Sequence, residues 1–352
     1  MKHVFLLHSS ITFLVAEGVR KHRGIPSEDA IYLLSRGYTP PPCETRVVPV
    51  EFSHNPESFP TAQIPILSWR RLAEFDRWLD EVVQRSDYEL YLPQTGQRFM
   101  RLLMTHPGCR AVALIEEGLA SYWSREVANE RVPSKRVRWK DRLAYRGRLG
   151  TPCFFDPDVT VAYGINPESF PDFGTRVIVE LSLLDGWCPP TFGDGEALVV
   201  LCGLSSAGYL DVESDLAGLA EALDCIARRG DLGVRYKLHP ALASSPLRHR
   251  YHQLLKTRCA ELDLTVEQLD EGVVLELVGL SCPDVPVVVN LSSAGFYAAR
   301  AGSQVTSYAA LIAARDASFR RKIEEMPPVF LESLTFFEPS HEVSPARATR
   351  SH

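Results

Sequence analysis

The strongest constraint in this chain is a rhythm of short apolar runs alternating with longer stretches of helical spacing, and the rhythm occurs twice. In the front half HVFLLH (3–8) reads as a strand, followed by a polar Ser9-Ser10 turn and the helical ITFLVAEGVRKHRG. DAIYLLS (29–35) is a second strand, SWRRLAEFDRWLDEVVQR (68–85) an amphipathic helix and YELYLP (88–93) a third strand. GQRFMRLLMTHPG (96–108) reads as helix, RAVALI (110–115) as strand and EEGLASYWSREVANE (116–130) as turn and helix. Strands that alternate with helices imply a parallel sheet covered on both faces.

The rhythm lapses over 131–190 and resumes after DGWCPPTFGDGE (185–196), whose prolines and glycines suit a linker. EALVVLCG (196–203), GVRYKLHP (233–240) and VPVVVNL (285–291) are then strands. DLAGLAEALDCIARRG (215–230), RHRYHQLLKTRCAEL (248–262) and SAGFYAARAG (293–302) are helical, and 307–326 reads as one long helix. The expected fold class is α/β with the GT-B architecture, two Rossmann-like domains facing each other across a cleft. The domains expected are 1–190 and 191–338, with a flexible tail at 339–352.

The 352 residues exceed one ordinary core and suit two domains. A net charge of −6 argues against a dedicated nucleic-acid binder. Eight cysteines (Cys43, Cys109, Cys153, Cys188, Cys202, Cys225, Cys259, Cys282) stand without a Cys-x-x-Cys pair, which favours free thiols in a reducing compartment. The N-terminal stretch is interrupted by His8, Ser9 and Ser10 and lacks a clean cleavage site, so a cytoplasmic location is expected.

Ligands of parallel α/β sheets sit beyond the carboxyl ends of the strands. Each strand exit here is polar. The first carries His8, Ser9 and Ser10, and the strand at 110–115 carries Glu116, Glu117 and Gly118. The first strand of the second half carries Gly203, Ser205 and Ser206, the next Lys237, His239 and Pro240, and the last Asn290, Ser292 and Ser293. One of the paired carboxylates, if partly desolvated, would make a base, with Gly118 permitting the turn. The same pair would also suit the positive end of a helix without any catalytic task. His239 could donate to a phosphate, with Lys237 adding charge and Pro240 fixing the chain, or it could be an ordinary strand-end histidine. LSSAG occurs at 204–208 and at 291–295, as either helix caps or an anion cradle. No glycine-rich P-loop, dinucleotide fingerprint or G-x-S-x-G elbow is present, which weakens ATPase, dehydrogenase and hydrolase readings. Asp156-Pro157-Asp158 reads as an ordinary turn.

In order, ALIEEG (113–118), YKLHP (236–240) and VNLSSAG (289–295) resemble the bacterial GT-B sialyltransferases, the lipooligosaccharide sialyltransferase and polysialyltransferase group. The resemblance implies inverting transfer of sialic acid or a related nonulosonic acid from a CMP-activated donor to a glycan or glycolipid hydroxyl. It implies an acceptor-side front domain with Glu116 as the preferred base and Glu117 as the fallback. It further implies that His239, Ser292 and Ser293 bind the CMP phosphate and that Glu276 holds the ribose. A single phosphate needs no metal clamp, so neither metal nor other cofactor is expected. The basic-aromatic run Arg131–Arg148, with Lys135, Arg136, Arg138, Trp139, Lys140, Arg142, Tyr145, Arg146 and Arg148, suits an anionic glycan or peripheral contact with an anionic inner-membrane surface. A merely solvated basic face fits the same residues. A CMP-Kdo or other nucleotide-sugar transferase, a UDP-sugar epimerase, or a non-catalytic sugar-nucleotide-binding protein remain alternatives.

Overall fold

Four consecutive fully buried residues, Val4–Leu7, form the carboxyl-terminal part of the first strand, and strands of this kind account for the architecture. The computed structural model describes residues 1–50, 65–133, 137–184, 186–243 and 245–339, with the backbone alone for 65–67, 240 and 241. The tail expected at 339–352 lies, except for Pro339, outside the described residues. The chain divides into two units, Met1–Ser182 and Leu183–His352, a few residues ahead of the expected boundary.

Unit 1 contains strands β1 (Lys2–Leu7), β2 (Ala30–Leu34), β3 (Arg46–Pro49), β4 (Tyr88–Leu92), β5 (Cys109–Ile115), β6 (Val161–Gly164) and β7 (Thr175–Ile178). They form one sheet in the order β3-β2-β1-β4-β5-β6-β7, and every neighbouring pair is parallel. Its helices are α1 (Ser10–Arg23), α2 (Pro65–Val82), α3 (Arg98–Met104), α4 (Arg125–Arg131) and α5 (Trp139–Ala144). Aromatic packing pins the centre of the sheet: Phe5 stacks on Tyr91 with ring centroids 4.2 Å apart, and Tyr32 meets Phe5 edge-on.

Unit 2 contains β8 (Glu196–Leu201), β9 (Gly233–Leu238), β10 (Thr265–Gln268), β11 (Val287–Val289), β12 (Val305–Ser307) and β13 (Thr335–Phe336). The order is β10-β9-β8-β11-β12-β13, again parallel throughout. Its helices are α6 (Val212–Arg229), α7 (Pro240–Ala243), α8 (Arg248–Glu261), α9 (Leu275–Ser281), α10 (Ser293–Arg300), α11 (Ala309–Ala313), α12 (Ala317–Glu324) and α13 (Pro328–Glu332). Two parallel α/β units with Rossmann-like winding are therefore the fold class.

Both sheets reverse their winding direction once, between β1 and β4 in unit 1 and between β8 and β11 in unit 2. Such switch points open a crevice at the carboxyl edge. The long helix expected over 307–326 is a correction: Ser307 ends β12, and the helical remainder is broken. There Asp316 caps α12 by accepting from the amides of Ser318 and Phe319. The irregular stretch 131–190 likewise holds two strands, β6 and β7.

Candidate functional site

At the carboxyl edge of unit 1, β1 delivers His8 and β5 delivers Glu117, on either side of β4. Two strand spacings separate their backbones, roughly 10 Å, and the side chains close that gap. His8 Nε2 lies 3.1 Å from Glu117 Oε2, with only 6% and 11% of the two side chains exposed. The pair thus spans the switch-point side of the sheet. The turn before α1 holds the His8 backbone. Thr12 Oγ1 accepts from the amides of both His8 (3.1 Å) and Ser9 (3.2 Å), while Ser9 Oγ accepts from the Thr12 amide. Ser9 is therefore a helix cap, and Ser10, at the first position of α1, is half-buried.

Glu116, expected as the preferred base, is fully buried. Its Oε1 accepts from Tyr122 Oη at 2.5 Å and its Oε2 from the Ile165 amide at 2.8 Å, while Asn166 Nδ2 donates to the same tyrosine oxygen at 2.7 Å. The side chain faces the protein interior because successive strand residues point to opposite sides. It ties the β5 exit to the loop after β6. Gly118 follows at φ 137°, ψ −153°, a conformation open essentially to glycine alone, which turns the chain into a 3-10 turn over Leu119–Tyr122.

In unit 2 three neighbouring strands, β9, β8 and β11, end together. His239 directly follows β9, and its amide donates to the Leu201 carbonyl of β8 at 2.9 Å. β8 runs out through Gly203, and β11 through Asn290 to Ser292. Ser292 caps α10, its Oγ accepting from the Ala294 amide at 3.2 Å, and Ser293 opens that helix. His239 is exposed as a residue, yet surrounding protein desolvates its imidazole enough to hold the pKa below the ordinary histidine value. Pro240 begins the short α7, a position that needs no amide hydrogen.

The other expected ligands of unit 2 lie as follows. Lys237 Nζ donates to the carbonyls of Asp270 (3.2 Å) and Glu271 (2.7 Å), so it clasps the turn after β10. Burial lowers its pKa, opposed by the charges of Glu276, Asp270 and Glu271. Glu276 is buried in α9, where desolvation raises its carboxyl pKa against the pull of its own backbone amide and Lys237. The two LSSAG copies differ. Residues 204–208 form turns, and Ser205 Oγ lies 2.6 Å from Tyr251 Oη in a buried network. There Tyr251 donates to Asp215 Oδ2 (2.5 Å) and Asn290 Nδ2 to Asp215 Oδ1 (3.1 Å). Ser206 Oγ donates to the Gly203 carbonyl at 2.8 Å. Both serines of the first copy thus have partners within unit 2. No sequence signal marks the Asp215–Tyr251 pair, because its members are far apart along the chain.

The basic run is partly consumed by the fold. Arg131 lies over the Trp123 ring, Arg146 over Trp69, and Arg148 donates to Asp76 at 2.7 and 2.8 Å. Trp139 is 70% exposed on α5 beside exposed Arg138, Lys140 and Arg142, with Leu143 also open. Lys135 and Arg136 lie outside the described residues. Among the described residues no three His, Cys, Asp or Glu side chains group so as to hold a metal ion. Nor, among them, is any helix long and apolar enough to cross a membrane.

No protein-family model matches the chain, and no curated protein does. Solved structures similar to it include UDP-GlcNAc 2-epimerase of Methanocaldococcus jannaschii in complex with UDP-GlcNAc and UDP. That match has a TM-score of 0.49 at 9% identity and covers 96% of this chain and 89% of that one. The MnaA–UDP structure of S. aureus scores 0.45 at 9% identity, covering 87% and 79%. WaaG, a glycosyltransferase involved in lipopolysaccharide biosynthesis, scores 0.41 at 12% identity, covering 94% and 93%. Likeness at this level says nothing about donor or acceptor.

Proposed function

We propose that this chain is a glycosyltransferase that moves a nonulosonic acid, such as sialic acid, from a CMP-activated donor to a glycan or glycolipid hydroxyl. The observation that carries the reading is the meeting of three strand exits in unit 2, His239 on β9, Gly203 on β8 and Ser292-Ser293 on β11, around a switch point. Hydroxyls, helix amides and one neutral imidazole suit a single phosphate monoester or diester better than a diphosphate. In that assignment His239 and the two serines hold the CMP phosphate as it leaves. Glu276 reaches the ribose, with Lys237 fixing the segment that carries it.

Unit 1 contributes the base. Since Glu116 is walled off, the acid–base work falls to Glu117 and the histidine it grips. Donor cleavage builds negative charge on the phosphate, and fixed donors stabilise it without a metal. The exposed Trp139 with its cationic neighbours is the proposed contact for an anionic membrane surface, in keeping with a cytoplasmic protein that works beside the inner membrane. Melting experiments with nucleotides test the donor assignment. CMP should raise the melting temperature more than UDP or GDP does, and equal shifts from all three would remove it.

A further inference from the structure

Beneath the strand exits of unit 2 lies a carboxylate that only hydrogen-bond donors offset. Asp215, in the first turn of α6, is 1% exposed. Burial raises its pKa, and against this stand hydrogen bonds from Tyr251, Ser205 and Asn290, with no cation among the causes. Taking a carboxylate out of water is costly unless protein donors replace the water, so its place in the core calls for a reason. The donors come from elements that border the switch point. Tyr251 of α8 donates to Oδ2 at 2.5 Å, and Asn290 Nδ2, after β11, donates to Oδ1 at 3.1 Å. With its hydrogen spent on Asp215, the Tyr251 hydroxyl oxygen accepts from Ser205 Oγ at 2.6 Å. The Asn290 carbonyl accepts from Ser307 Oγ at 2.8 Å, and the Ala309 amide donates to that hydroxyl at 3.1 Å. Asp215, Tyr251, Ser205, Asn290 and Ser307 are all buried.

We propose that Asp215 is a positioning residue for the phosphate site of unit 2, acting through Asn290 and through the Tyr251–Ser205 link on the turns that carry Ser292 and Gly203. This assignment rests on the transferase reading above. Ser205 follows Gly203 by two residues and Asn290 precedes Ser292 by two, so one carboxylate sets where the β8 and β11 exits stand relative to each other. Local bonds complete the two turns: Ser206 Oγ donates to the Gly203 carbonyl, and Ser292 Oγ accepts from the Ala294 amide. An ionised carboxylate accepts on both oxygens, so it holds two donors from separate elements at once. An amide in its place offers one acceptor and one donor, and one of the two ties then fails. The network is covered, so its contribution to binding is the preorganisation of the groups above it.

Calorimetric titration with CMP and with cytidine, set beside denaturant unfolding without ligand, tests the assignment. Asp215→Asn should raise the Kd for CMP roughly ten-fold, while cytidine, which carries no phosphate, binds as it does to the wild type. Tyr251→Phe leaves the Asp215–Asn290 bond in place and should raise the CMP Kd several-fold. Ser205→Ala, and the double variant of Tyr251→Phe with Ser205→Ala, should match that loss, because both residues act through one link. These milder variants decide the matter where Asp215→Asn does not fold. A folded Tyr251→Phe with the wild-type CMP Kd and lowered unfolding stability alone, equal losses for CMP and cytidine, or additive losses in the double variant would each overturn the proposal while the transferase reading stands. A wild type that binds no CMP would overturn both.

Discussion

At the residue scale, adjacent carboxylates have opposite fates. Glu116 accepts two hydrogen bonds in the interior, while Glu117 reaches across β4 to His8. Glu116→Gln places an amide where one oxygen faces a backbone N–H and the other a tyrosine hydroxyl. It should lower folding stability by about 1–3 kcal/mol. Denaturant unfolding followed with and without CMP checks this, and the response to CMP should survive. His239 gives a pH signature. Its folded pKa is depressed by burial, so the free protein holds a neutral imidazole near pH 7. Taken alone, that depression contributes stability above the unfolded value, lost as pH falls through the folded one. A bound phosphate favours the imidazolium, so CMP binding should take up protons and tighten as pH falls toward 6. Calorimetry in buffers of differing ionisation enthalpy should register that uptake in the wild type and lose it in His239→Ala.

At the scale of elements, legibility followed burial. The central strands β1 and β8 carry long apolar runs, and β4, β5 and β9 hold enough buried apolar residues for the sequence to show them. The edge strands β3, β7 and β10 are short and largely exposed, so Arg46–Pro49 or Thr265–Gln268 carry too little apolar signal to be seen. The broken helix after β12 shows a different failure. Alanine-rich periodicity outweighed the local Asp316-x-Ser318 cap that divides it. Candidate site residues were legible as strand exits, yet which of them point outward was not. The pairing of His8 with Glu117 depends on strand order, and that of Ser205 with Tyr251 on how α8 packs. The short helix α5 presents Trp139 and Leu143 one turn apart, so both lie on one face. Sedimentation with phosphatidylglycerol-rich vesicles should retain the wild type. Trp139→Ala should weaken that retention several-fold, whereas equal retention would leave the face without a membrane role.

At the scale of the whole molecule, each unit places its polar residues at the carboxyl edge beside a reversal of winding. On the proposed reading the phosphate site lies in unit 2, where His239, Gly203 and Ser292 follow neighbouring strands. The central claim is the proposed transfer from a CMP-activated donor. The direct measurement is CMP released from CMP-sialic acid, with acceptor present, by the wild type, Glu117→Gln and His239→Ala. The expected result is steady release by the wild type and a loss of ten-fold or more in each variant, with both still folded. Unchanged release in either variant, or a wild type inert toward every CMP-sugar tried, would contradict it.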